Sequence, residues 1–180
     1  MADNSTEYPF TTAYELGAAP RLARSSRRFQ SVIEAEHATV TPPAPGESTP
    51  RIRLHSGRAE PRLILDFGEE VIGYLRARLV GPAPVELHVH YGETLEEARI
   101  TTPCRADWYK GPADLWPLTG GTREAASNGR RAFRYVHIFA PAAAGDVDIL
   151  DLELQEVAYP VTPRGVFACS SERLNRIWDI

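Results

Sequence analysis

The stretch PRLILDFGEEVIGYLRARLVGPAPVELHVHY, residues 61–91, decides the fold that the sequence predicts. Alternation of apolar and polar residues with a period of two is typical of β-strands that place one face on a hydrophobic core. The Gly81-Pro82 pair interrupts this alternation, as expected for a turn. The stretch therefore predicts a three-stranded antiparallel meander, with strands at residues 61–67, 73–80 and 85–91.

Further strand patterns lie on both sides of the meander. In the strongly alternating C-terminal part, Leu150, Leu152 and Leu154 are expected to face the core. Seven or eight such segments, with no amphipathic helix before the C-terminus, predict an all-β fold. We expect an antiparallel β-sandwich or jelly roll with a short C-terminal helix. Further strands are predicted at residues 29–40, 51–55, 131–140 and 146–159, with a short strand or two near residues 107–110 and 113–118.

Residues 165–180, GVFACSSERLNRIWDI, have a helical pattern. Ser170 or Ser171 is a suitable N-cap. The large apolar side chains that follow have the spacing of one helical face. A helix of about ten residues is marginal in water on its own, so this face needs a surface to pack against. The pattern therefore predicts a domain interface formed by Leu174, Ile177 and Trp178. A longer protein or a partner chain would supply the other surface.

The expected organisation has three parts. Residues 1–28 mix polar, small and aromatic residues without a period and predict an irregular lead-in. Residues 29–164 are expected to form the β-sandwich domain. Residues 165–180 are expected to begin a helix that leads toward a surface outside the β-sandwich.

Composition excludes several classes of function. The 180 residues carry a net charge of −4, with acidic and basic residues interspersed, so neither a nucleic-acid partner nor a membrane partner is expected. The N-terminus has no signal-peptide pattern, which favours the cytoplasm. Cys104 and Cys169 are too far apart to indicate a zinc motif or a disulfide framework. No cofactor is expected.

A metal site is one alternative that the sequence leaves open. His88 and His90 lie two residues apart on one strand face, and Glu93 follows. Two imidazoles and a carboxylate can bind a divalent metal. The pattern is similar to the H-x-H…E ligand run of cupins, but it has fewer residues before the glutamate and lacks the second cupin motif. The sequence favours ordinary strand histidines.

Two further charged groups are interpreted as structural. Glu93, Glu96 and Glu97 fall within four residues of one another, as on the solvated face of a turn or short helix. Arg134 lies between two aromatic residues on a predicted strand. We expect its guanidinium to pair with a buried carboxylate such as Glu93, because a two-pronged pair fixes strand register.

Three aromatic residues are candidates for sugar binding. Trp108, Tyr109 and Trp116 could form a platform on which pyranose rings stack, or they could fill the core. The sequence contains no G-x-S-x-G, G-x-x-x-x-G-K, G-x-G-x-x-G or H-E-x-x-H motif. No catalytic residue is therefore assigned.

Four stretches of the sequence carry a family resemblance: LILDFGEEVIGYLRARL (63–79), ELHVHYGETLEEA (86–98), RRAFRYVHIF (130–139) and YPVTPRGVFACSSERLNRIWDI (159–180). The resemblance covers about two thirds of the chain. Together and in this order, the stretches resemble the bacterial α-L-rhamnosidases of glycoside hydrolase family 78, in the β-sandwich region before the catalytic barrel.

The resemblance implies a non-catalytic accessory domain. In that family an (α/α)6 barrel follows the helix and carries the acidic residues that hydrolyse terminal α-L-rhamnosides with inversion. None of those residues has a counterpart in this sequence. The implied partners are such a barrel and rhamnose-containing glycosides. A stand-alone carbohydrate-binding module and a cupin-like metal-binding jelly roll remain the alternatives.

Overall fold

The alternating segments form antiparallel strands of one hydrogen-bonded sheet. A computed structural model describes residues 22–57, 59–101, 113–141, 145–159 and 165–178. Within these ranges the strands are β1 (Ala23–Arg27), β2 (Ser31–Glu36), β3 (Ala38–Thr41), β4 (Arg51–Leu54), β5 (Arg62–Gly81), β6 (Val85–Gly92), β7 (Ala113–Leu118), β8 (Gly121–Ala126), β9 (Arg131–Phe139) and β10 (Val147–Ala158). The helices are α1 (Leu95–Arg99) and α2 (Glu172–Trp178).

The chain divides into two compact units. One comprises Arg24–Ala158 and contains almost all of the strands. The other comprises Met1–Ala23 and Tyr159–Ile180, and its described part includes α2. The predicted all-β class with a short C-terminal helix is confirmed.

Strand β5 differs from the prediction, because one strand of 20 residues replaces the first two strands of the meander. The side chain of Asp66 accepts a hydrogen bond from the backbone N–H of Gly68 at 2.6 Å, and Gly68 has a φ of +86°. The register with β9 shifts between Asp66 and Val71 at this point. The DFGEE segment is therefore an irregularity within a continuous strand, where the sequence had indicated a turn.

Strand β5 is long enough to belong to two layers of strands. Its first half, up to Gly73, pairs with β2 and β9, whereas its second half pairs with β8 and β10. Gly73 pairs with β9 on one side and β10 on the other, and a Cβ at this position would lie 2.3 Å from the carbonyl oxygen of Gln155. Only glycine allows that approach. The layers are thus β2-β5-β9-β6-β7 and β3-β4-β10-β5-β8.

Both layers contribute to one hydrophobic core. Its members come from the inward positions of the strands, as the alternation predicted for β5 and β6. Close packing of large apolar side chains is the main stabilising contribution to such a domain. Representative fully buried members are Ile52, Leu63, Phe67, Leu75, Leu87, Phe133, Ile149 and Leu154.

The inward positions of β10 were predicted incorrectly at one residue. Leu150 is only partly buried, whereas Ile149, Leu152 and Leu154 are buried. The register with β5 shifts between Leu150 and Glu153, and Asp151 adopts a φ of +53°. This bulge moves the buried face by one residue.

The N-terminal boundary also requires correction. Residues 1–28 were expected to be irregular, yet β1 begins at Ala23. The strand is polar, and Ser25 and Arg27 form contacts with Glu156 of β10. The strand pairs with β10, but four of its five residues are exposed, so its sequence carried no period-two signal.

The weakly patterned segments agree with the prediction in part. Strand β7 confirms the segment predicted at residues 113–118, whereas β8 was missed. The segment predicted at 29–40 forms two strands, separated by His37 with a φ of +49°. The strand predicted at 107–110 lies outside the described residues.

Candidate functional site

An open pocket of about 360 Å³ lies beside the bulge of β10. Residues 46–51, which lead into β4, form one wall, and Arg78 of β5 with Asp151 of β10 forms another. Asp151 Oδ2 accepts hydrogen bonds from Arg78 Nε at 3.0 Å and Nη2 at 2.7 Å. Its Oδ1 accepts one from the Thr49 hydroxyl at 3.0 Å. The bulge therefore aims a carboxylate into a polar pocket.

The electrostatics of this pocket keep Asp151 ionised at neutral pH. The hydrogen bonds from Arg78 lower the pKa of Asp151; burial opposes this shift, and the Thr49 hydroxyl adds to it. Glu47 and Arg51 complete the charged groups of the lining. The pocket thus contains two acidic and two basic side chains. No sequence motif indicated it, because the pocket depends on the left-handed conformation of Asp151.

A second open pocket, of about 420 Å³, contains a similar ion pair. Arg53 Nε and Nη2 donate to the two carboxylate oxygens of Asp148 at 2.7 and 2.9 Å. The neighbouring Asp146 accepts hydrogen bonds from the backbone N–H and hydroxyl of Ser56. Neither Arg53 nor Asp148 has a positive φ. This pair joins β4 to β10 in regular register.

The predicted histidines lie on the outer face of β6, opposite β9. His88 and His90 each lie about 5 Å from the ring of Phe139, measured between ring centroids. His137 is directly opposite His90 in the strand pairing. Within the ranges that the structure describes, no three His, Cys, Asp or Glu side chains are arranged to hold a metal ion. The predicted combination of His88 and His90 with Glu93 therefore does not form such a site.

Helix α1 covers part of this outer face. His137 donates from Nδ1 to the carbonyl oxygen of Ala98 at 3.2 Å, and His90 donates from Nδ1 to Ile100 at 3.0 Å. His137 is 5% exposed, and its Nε2 has no hydrogen-bond partner among the described residues. Burial lowers the pKa of His137 to about 4 and also lowers the pKa of His90. The sequence did not indicate that α1 would bury His137.

Arg134 forms a structural ion pair, but with a different carboxylate from the one predicted. Its Nε and Nη2 donate to the two oxygens of Asp66 at 2.9 and 3.0 Å. These hydrogen bonds lower the pKa of Asp66. The predicted Glu93–Arg134 pair is therefore wrong, because Asp66 of the adjacent strand β5 holds the guanidinium.

The sugar platform is not supported at Trp116. This side chain is 2% exposed, and its Nε1 donates to the carbonyl oxygen of Ala126 at 3.1 Å. A buried indole cannot stack on a sugar ring, so Trp116 is part of the core. Trp108 and Tyr109 lie outside the described residues.

A buried polar network near Trp116 was missed by the sequence analysis. Asp114 accepts hydrogen bonds from the hydroxyl of Tyr91 at 2.8 Å and from Arg131 Nη2 at 2.7 Å. Burial and the nearby carboxylate of Asp114 raise the pKa of Tyr91 well above its usual value. Asp114 lies two residues before Trp116 on the inward face of β7. A charged residue at an inward position of a strand could have indicated a buried polar network. The network links β6, β7 and β9 and is structural.

The C-terminal unit has its own local order. The Asn175 side chain accepts from the backbone N–H of Cys169 at 2.8 Å and donates to the carbonyl oxygen of Cys169 at 3.0 Å. Ser171 Oγ accepts a hydrogen bond from Leu174 N–H at 3.4 Å, which selects Ser171 from the two predicted caps. The rings of Phe167 and Trp178 are 5.6 Å apart. The predicted interface residues Leu174, Ile177 and Trp178 are 50%, 57% and 54% exposed.

Comparison with known proteins defines the class of this domain by its fold. No protein-family model matches the chain, and no curated protein matches it in sequence. Among the described helices, none has the length and apolar character needed to cross a membrane. The β-sandwich fold of this chain is similar to one part of each of two solved structures.

The two structures are rhamnosidases. A rhamnosidase from Klebsiella oxytoca with rhamnose bound matches 93% of this chain with a TM-score of 0.65 and 22% identity. A GH78 family rhamnosidase of Bacillus sp. GL1 matches 71% of this chain with a TM-score of 0.55 and 22% identity. This chain spans 35% and 13% of their respective lengths. The expected likeness to rhamnosidases is confirmed at the level of the fold.

Proposed function

We propose that this chain is a non-catalytic β-sandwich accessory domain of an α-L-rhamnosidase-like glycoside hydrolase. The observation that carries the proposal is the fold similarity, which covers 93% of this chain and only 35% of a rhamnosidase. Four stretches of the sequence, including the one that forms β5, resemble the same family independently of the fold. Because fold alone does not confer activity, the activity itself has to be tested.

The described side chains support a non-catalytic role. Inverting hydrolysis needs one carboxylic acid to protonate the leaving oxygen and one carboxylate to activate water. The carboxylates of Asp66, Asp114, Asp148 and Asp151 each hold an arginine of the same chain. For Asp66, Asp148 and Asp151 the pKa is lowered, which is opposite to what a general acid requires. In this proposal, catalysis takes place in a separate (α/α)6 barrel.

Helix α2 is the proposed connection to that barrel. Its apolar side chains are about half exposed, and none of its residues is buried. Exposed apolar side chains that lie together on one helical face are typical of a docking surface. In this proposal the β-sandwich extends over residues 29–164, preceded by β1, and residues 165–180 lead to the barrel. The cytoplasmic location stays a prediction from the sequence.

An activity assay tests the proposal. The purified chain is incubated with 4-nitrophenyl α-L-rhamnopyranoside, with the Klebsiella oxytoca rhamnosidase as the positive control. We expect no turnover above that of a heat-denatured sample. If the coding sequence continues beyond codon 180, the longer protein that it encodes is expected to be active. Turnover by the pure chain, or a continuation that encodes no helical barrel, would contradict the proposal.

A further inference from the structure

The pocket beside the β10 bulge contains a residue in an unfavourable backbone conformation. Asp151 has a φ of +53°, which residues with a Cβ rarely adopt, although aspartate tolerates it better than most. Such conformations persist where the surrounding structure enforces them, and they are frequent at functional sites. Here the conformation brings the Asp151 carboxylate between Thr49 and Arg78 at the pocket wall.

The ion pair leaves hydrogen-bonding capacity directed at the pocket. Arg78 uses Nε and Nη2 for Asp151, and its Nη1 has no partner among the described residues. Asp151 Oδ1 accepts one hydrogen bond, from Thr49, and can accept a second, whereas Oδ2 already accepts two from Arg78. Both side chains remain partly exposed, so a bound molecule can reach them. Adjacent donors and acceptors of this kind suit neighbouring hydroxyl groups, which both donate and accept.

Charge and size narrow the class of ligand. Glu47 and Asp151 balance Arg51 and Arg78, so the lining favours neither an anion nor a cation. The volume of about 360 Å³ lies at the lower end of the range for small-molecule sites. Pro50 and Leu150 offer apolar surface beside the polar groups, as the C–H face of a sugar ring requires. These features together describe a site for a small, neutral, polyhydroxylated molecule.

The geometry points to a binding site for one neutral monosaccharide unit, formed by Thr49, Arg78 and Asp151. This inference rests on the proposed function for the identity of the sugar, which is the rhamnose unit of a rhamnose-containing glycoside. The site would hold one sugar unit of such a glycoside. Affinity in the millimolar range is expected, because few side chains are involved and the pocket is open.

Titration of the folded chain with L-rhamnose, followed by two-dimensional NMR, tests the inference. We expect saturable shifts of the Thr49, Arg78 and Asp151 signals. D151G should weaken binding by about tenfold or more, since hydrogen bonds to a charged group are lost. Glycine also relieves the unfavourable φ, so the melting temperature of D151G should not fall in parallel with its affinity. A loss of binding caused by unfolding would therefore be recognised, because the melting temperature would fall together with the affinity.

R53Q is the matched control. It removes the arginine–aspartate pair in the second pocket and should leave rhamnose binding unchanged. Inorganic phosphate is the second probe and should not compete with rhamnose. Absence of saturable rhamnose binding, equal effects of D151G and R53Q, or competition by phosphate would each overturn the inference. None of these outcomes alters the activity assay, so failure of this site is distinguishable from failure of the proposed function.

Discussion

The two faces of the layer β2-β5-β9-β6-β7 are built on different principles. On the inner face, side chains such as Leu63, Leu87 and Phe133 pack against the other layer with no polar group to satisfy. On the outer face, α1 packs on β6 and β9 and covers His137, whose ring lies beside that of Phe139. The inner face is an apolar core with one buried polar network at Asp114, whose carboxylate is hydrogen-bonded to Tyr91 and Arg131. The outer face is a local patch in which a buried imidazole has one unsatisfied nitrogen.

This difference shows where the domain is robust and where it depends on conditions. Apolar packing contributes the same stabilisation across the ordinary range of pH. A buried histidine stabilises the fold only while it is neutral. The inner face should therefore contribute most of the free energy of unfolding, and the outer face should determine how that free energy depends on pH.

Removing a ring from the inner face should have the largest effect. Phe133 is fully buried and packs edge-on against Phe67, with ring centroids 5.2 Å apart. Phe133→Ala should lower the free energy of unfolding by about 4 kcal/mol, through lost transfer energy and a cavity. Urea denaturation measures this value. Leu115→Ala is the control, since Leu115 is 55% exposed and should change stability by less than about 0.5 kcal/mol. Similar losses for both variants would remove the distinction between core and surface.

Acidification should reveal the outer face. The pKa of His137 is about 4 in the fold and near 6.5 in the unfolded chain, so between these values the unfolded chain binds more protons. The stabilisation is complete above about pH 6.5 and is lost as the pH falls toward 4. The loss amounts to about 3 kcal/mol.

Comparison of melting curves at several pH values checks this prediction. Groups packed around His137 also act on it, with His90 and Arg62 opposing protonation and Glu34 favouring it. His137→Phe should flatten the dependence on pH between 4 and 6.5. His90→Phe should flatten it less, because His90 is less buried. An unchanged slope in His137→Phe would show that the outer face does not act in this way.

The inner face could be predicted from the sequence, and most of the outer features could not. Alternation is a local pattern, so Leu75, Leu87 and Val89 were correctly assigned to the core. The bulge at Asp151 and the continuity of β5 through Gly68 depend on the backbone conformation of single residues. Local alternation does not encode such conformations.

Pairing across strands was equally difficult to predict. The sequence correctly indicated that Arg134 would hold a carboxylate, but the register of β5 against β9 decides that Asp66 is the partner. The burial of His137 depends on where α1 packs after β6. Both the partner of Arg134 and the burial of His137 depend on distant parts of the chain, which a motif of a few residues does not contain.

The C-terminal helix gives the smallest expected effect and the most direct test of the account. If Leu174, Ile177 and Trp178 serve a separate helical barrel, the β-sandwich does not need them. The triple substitution to serine should therefore leave the melting temperature of this chain within about 2 °C of the original. Arg173→Ser controls for altered helix propensity. A decrease of roughly 10 °C, as expected for Phe133→Ala, would mean that the β-sandwich itself uses the apolar face of α2 and would contradict the account.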